Sequence, residues 1–167
     1  RRMFRLERKY RAKIYKELQR QRDELIETGS FISRFEPIFS DLYGVDGLTV
    51  GSGQYNLLNG LKTGKSVSDF FSTAWRVWME VFVQTRMAQK IVAIDNFTKE
   101  AVQEVLRNNV GVPFNQIVDQ LKMFDRQRAM RIARTEVAQM ANESQRQAAM
   151  AWKEEVGEFS MYKIWMH

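Results

Sequence analysis

The chain has 167 residues, 44% of them hydrophobic and 12% aromatic, which is enough apolar mass for a buried core and excludes disorder over most of its length. It has no cysteine and a single histidine, His167, so disulfides, thiolate metal sites, zinc clusters and an ordinary Ser-His-Asp triad are excluded. The net charge is +6, and its placement is uneven. Arg1, Arg2, Arg5, Arg8, Lys9, Arg11, Lys13, Lys16, Arg20 and Arg22 stand against only Glu7 and Glu17, so residues 1–22 hold +8 and the rest of the chain −2. A cationic segment on a near-neutral body predicts a polyanion or an acidic protein surface as partner.

The first element is a helix. Leu6, Tyr10, Ile14 and Leu18 recur every four residues, with Met3 and Leu25 extending the stripe and charges on the other faces. Thr28-Gly29 is a stop and Ser30 a new N-cap. A helix over residues 3–26 is roughly 36 Å long, against a radius of gyration near 15 Å for a domain of this size. It is therefore expected to protrude, or to lie lengthwise on a partner. Residues 1–29 are read as this basic helix and 30–167 as the helical body.

Residues 31–43 read as helix, bent or restarted at Pro37. Six of the nine glycines fall between Gly44 and Gly64, which predicts a mobile loop over 44–64 with a short helical turn near 55–58. Ser66 is the expected N-cap of a third helix running to about Ile94, apolar except for the stripe Thr73, Arg76, Glu80 and Gln84. The expected core centres on Phe71, Trp75, Trp78, Phe82, Ile132 and Val137. Thr98 is read as the cap of a short helix over 99–107, Pro113 as the opening of another, and Asp125 as the cap of a last helix ending at Gly157. Small alanines at apolar positions along that helix suggest close helix–helix approach. Residues 159–166 switch to a period near two and read as a strand. The fold class is thus mainly α, elongated, with a protruding basic N-terminal helix and a short C-terminal strand.

The chain shows no catalytic constellation. Gly60 to Ser66 carries three residues between its glycines where a phosphate-binding loop needs four, and no buried strand precedes it. Paired carboxylates such as Asp23-Glu24 and Glu154-Glu155 do not face each other across a site, and no spacing resembles a calcium loop. No cofactor, metal or membrane span is expected; the longest apolar run, 70–83, is short and contains Arg76 and Glu80. The opening residues contain no apolar signal segment, and the chain starts on Arg1 and stops within the strand-like stretch, as a portion of a longer protein would.

The most specific string is Ile132-Ala133-Arg134-Thr135-Glu136, followed by Asn142, an alanine-rich stretch, Gly157, and Lys163 and Trp165 in the strand-like segment. It resembles the C-terminal half of the phage Mu F-like head morphogenesis family, the minor head proteins of tailed phages, over residues 115–167. The resemblance implies a structural, non-enzymatic virion component inside the capsid at the portal vertex, present in the host cytoplasm during assembly. It would act in head assembly and in DNA packaging or ejection. The portal, the major capsid protein, double-stranded DNA and further copies of itself would be its partners. Residues 1–22 suit non-specific contact with phosphates, since no recognition-helix set of Asn, Gln and Arg is present. Two other readings are a standalone non-specific nucleic-acid-binding helical module, and the carrier part of a longer protein with a toxin-like enzymatic domain beyond residue 167. Arg134 and Glu136 point to different sides of their helix and are expected to make interhelical ion pairs or hydrogen bonds.

Overall fold

The computed structural model describes residues 2–60 and 69–156. They form six helices: α1 (Arg2–Thr28), α2 (Phe35–Ser40), α3 (Gly47–Gly60), α4 (Asp69–Phe82), α5 (Ala88–Asn108) and α6 (Phe114–Val156). Two π-helical segments, Asp41–Asp46 and Val83–Met87, join α2 to α3 and α4 to α5 without a break. The described chain is therefore mainly α, as its patterning implies. The strand over 159–166, the Ser66 cap, Lys163, Trp165 and His167 lie outside the described residues.

α1 does not protrude. Leu6, Tyr10, Ile14 and Leu18 are buried in the main apolar cluster with Phe35, Phe39, Leu42, Phe82, Ala133, Val137 and Met140. The stripe that makes α1 amphipathic finds its cover inside the same chain, along α6. Arg134 of α6 lies beside Glu7 and Asp125 beside Arg22, so the two helices run antiparallel. α6 has 43 residues, roughly 64 Å of helix. It contributes to all three apolar clusters, the others being Tyr55, Phe71, Trp75, Ala148, Ala151 and Trp152, and Val102, Ile117 and Leu121. Of the expected core, Phe71, Trp75, Phe82 and Val137 are buried, whereas Trp78 and Ile132 are partly covered and pack against it.

The glycine-rich segment is helical through Gly60, contrary to the loop expected over 44–64; residues 61–64 lie outside the described part. Close approach explains it. A Cβ on Gly47 would stand 2.6 Å from Trp75 Cζ2, and one on Gly51 would stand 2.3 Å from Phe71 Cζ and 3.1 Å from the Ser144 carbonyl oxygen. These glycines let α3 lie against the aromatic face of α4 and the backbone of α6. The alanines of α6 do the same from their side, with Ala129, Ala133 and Ala148 fully buried.

Three predicted helix starts are absent. Ser30 caps nothing: α2 begins at Phe35, and the Glu17 carboxylate of α1 accepts the Arg34 N–H at 2.8 Å. Pro37 sits in the first turn of α2, where a missing N–H costs little. Thr98 lies inside α5, its hydroxyl donating to the Ile94 carbonyl at 2.9 Å and accepting from Arg128 Nη1 at 2.6 Å. Asp125 lies inside α6 and accepts from the buried Arg22 guanidinium at 2.5 Å. Two predicted stops do hold, and the one at Gly157 lies outside the described residues. Gly29 takes φ 77° and donates to the Leu25 carbonyl at 3.0 Å, and Gly111 takes φ 87° in the turn before α6.

Burial pushes the Asp125 carboxyl up to about 6, against the opposing charges of Arg22 and Arg128. Burial likewise lowers the Arg128 guanidinium to about 10. A carboxyl raised above its unfolded value takes up a proton on folding, so its contribution favours the fold below the unfolded pKa, near 3.8, and is lost as the pH rises through about 6. Stability should accordingly increase as the pH falls from 7 to 5. Denaturant melts at the two values check this, and Asp125→Asn should flatten the dependence in that window.

Candidate nucleic-acid interface

The ten cations of residues 1–22 do not form one open surface. Arg1 lies outside the described residues. Arg22 is buried and engaged with Asp125 and Asp23, so it is unavailable to any external phosphate. Arg20 is held by Glu17 at 2.6 Å and Glu24 at 2.5 Å, and it also donates to the Ile32 carbonyl. The Glu17 hydrogen bond, with help from Glu24, keeps its pKa raised. Lys9 pairs with Asp46 at 2.8 Å and Lys13 with Asp41 at 2.5 Å, both acids belonging to the first π-helical segment.

Asp46 anchors α1 from that segment. Burial alone would raise its carboxyl, but hydrogen bonds from Lys9 and from the Tyr10 hydroxyl at 2.6 Å, with the charges of Lys9 and Arg2, outweigh it and hold the pKa below the ordinary value. Four of the ten cations are thus engaged within the chain, and three of them, Lys9, Lys13 and Arg22, pair α1 with the body.

What remains open is a ridge. Arg2, Arg5, Arg8, Arg11 and Lys16 are exposed and form no ion pair among the described residues. Arg5, Arg8 and Arg11 stand three residues apart, so their side chains wind slowly along the solvent face and turn toward α6. Arg11 and Arg126 then line one cleft of about 540 Å³ between the two helices, floored by Tyr15 and Met130. Arg134, mostly exposed, lies further along this seam at 3.5 Å from Glu7. The cationic surface therefore continues from α1 onto α6. Sequence reasoning missed Arg126 and Arg131, although four arginines in residues 126–134 were the available signal.

The Ile132–Glu136 string sits at mid-α6, where its members separate. Ala133 is buried, Ile132 half-buried and Thr135 exposed. Arg134 reaches α1, as described, while Glu136 turns the other way. It accepts from the Tyr43 hydroxyl at 2.7 Å and from Lys90 Nζ at 2.7 Å. Both residues thus make the interhelical contacts expected of them. Burial, followed by the Glu136 charge and its hydrogen bond, raises the Tyr43 pKa. Asn142 lines a cleft with Tyr43, Arg86 and Lys90. Among the described residues no three His, Cys, Asp or Glu side chains gather as a metal site would need, and no helix is long and apolar enough to cross a membrane. No family model, curated protein or solved structure matches the chain.

Proposed function

We propose that this chain is a minor head protein of a tailed phage, which acts inside the capsid at the portal vertex and holds duplex DNA without sequence preference. In this reading it serves head assembly and genome packaging or ejection as a structural part, with no catalytic residue, cofactor or metal of its own. The observation that carries the DNA contact is the open ridge of Arg5, Arg8 and Arg11, continued by Arg126 across the cleft. A duplex presents one phosphate charge per about 1.7 Å of axis, so a row of exposed guanidiniums engages it in many registers without reading bases.

Titration with duplex DNA over a range of salt concentrations tests this. With four to six phosphates engaged, log K should fall with log salt at a slope of about −4 to −5. Arg5→Gln, Arg8→Gln and Arg11→Gln combined should reduce the slope by about 2–3, since each lost phosphate contact removes about 0.9. A triple variant with an unchanged slope would rule out the ridge as the DNA site. Removing residues 1–22 altogether is no test, because Leu6, Tyr10, Ile14 and Leu18 belong to the main core. The head assignment is tested separately by the protein's presence, in fixed copy number and at one vertex, in purified virions or proheads.

A further inference from the structure

α6 shares a second groove, this one with α5. A cleft of about 410 Å³ lies between the helices, a second of about 350 Å³ adjoins it where α6 meets the π-helical segment Val83–Met87, and Lys90 lines both. Lys90 pairs with Glu136 and Thr98 accepts from Arg128, so α5 and α6 are antiparallel here, and Arg86, in the segment leading into α5, shares its cleft with Asn142. From Arg86 to Phe97 the groove extends about 17 Å, or three helical turns.

The cleft beside Arg131 has an apolar floor of Ala93, Ile94, Ile132 and the Phe97 ring, and the adjoining cleft beside Arg86 is lined by Gln139, Asn142 and Glu143 with Tyr43 and Phe82. Phe97 is 49% exposed. Yet it is not free to move: the Arg128 guanidinium lies over its ring at 4.6 Å and Phe124 stacks beside it at 6.1 Å. An exposed aromatic already fixed in place has little rotamer entropy to lose when covered, which is the property of an interface anchor.

The rim has one sign in excess. Arg86, Lys90, Arg128 and Arg131 line the groove against Glu136 and Glu143. Both acids are engaged inside the chain, Glu136 by Lys90 and Glu143 by Arg146 at 2.9 Å. Arg86 and Arg131 are exposed and form no ion pair among the described residues.

We propose that this groove docks an amphipathic helix of a partner protein whose flanks carry carboxylates. Two antiparallel helices present a furrow that accepts the side-chain ridge of a third. The partner's apolar stripe would cover Phe97 and Ile132, and its acidic flanks would meet Arg86 and Arg131. A nucleic acid would leave the apolar floor uncovered. The inference does not depend on the DNA reading, since it uses a different face of α6.

The probe is a fluorescent sixteen-residue synthetic helix with Leu at core-facing positions and Glu flanking them, paired with the same helix carrying Lys for Glu. The full chain should bind the Glu helix about tenfold or more tightly than the Lys helix, because charge across an interface sets partner choice. Arg86→Glu with Arg131→Glu should reverse that order, and Phe97→Ala should weaken both helices. The charge-reversed pair changes only exposed side chains, so it remains informative if Phe97→Ala unfolds the protein. DNA affinity lost through Arg5, Arg8 and Arg11 should leave helix binding intact. Three outcomes would each overturn the proposal: a Glu helix that does not bind, equal binding to the charge-reversed variant, or displacement of the helix by duplex DNA that depends on Arg86 and Arg131.

Discussion

Arg22→Met alone should destabilise the protein by about 3–5 kcal/mol, and Arg22→Met together with Asp125→Leu should recover most of that loss. The guanidinium is 2% exposed and the carboxyl nearly as hidden, with 2.5 Å between them across the α1–α6 contact. Removing Arg22 takes the hydrogen-bonded partner from the buried Asp125 carboxylate and leaves only the charge of Arg128 to oppose it, in a medium that solvates it poorly. Removing both replaces a desolvated pair with apolar packing, which is neutral or better when the volume is kept. Equilibrium unfolding of the two single variants and the double variant gives the coupling directly. A single variant within 1 kcal/mol of the parent would show the pair to be hydrated in solution.

Two glycines roughly 3 Å apart along α3, given the ~1.5 Å rise per residue, should respond to alanine with opposite signs. Gly51→Ala should cost about 1–3 kcal/mol, because its Cβ would enter the Phe71 ring and the Phe71 side chain, stacked on Tyr55, has no room to yield. Gly53→Ala meets nothing within 4 Å and should gain about 0.5–1 kcal/mol by removing backbone freedom from the unfolded chain. Thermal melts of both variants check the pair. Equal gains would mean that Gly51 has room beside Phe71 for a methyl group.

Gly47 and Gly51 show where sequence reading fails. Glycine reads as a loop former because a free chain pays heavily to order it. That cost is offset here by Phe71 and Trp75, residues lying 20 or more positions away. Asp125 and Thr98 fail for a related reason. Both types cap helices through local hydrogen bonds, but here Arg22 and Arg128 arrive from other turns and other helices and claim them. The elements that were legible rest on local periodicity: the α1 stripe, the apolar face of α4, and the stops at Gly29 and near Gly111. The cationic segment was half legible. Its position follows from the sequence, but the pairing of Lys9 and Lys13 with Asp46 and Asp41 depends on where the π-helical segment passes.

The antiparallel seating of α1 on α6 also sets an order of events during synthesis. Arg22 and Asp125 are 103 positions apart. At about 5–20 residues per second, the ribosome leaves α1 without its cover for roughly 5–20 s. During that interval Leu6, Tyr10, Ile14 and Leu18 form an uncovered stripe beside a run of arginines, on a nascent chain next to ribosomal RNA. α1 is translated before α6 and stays uncovered until α6 arrives, so folding of this domain is completed only after α6 has left the exit tunnel.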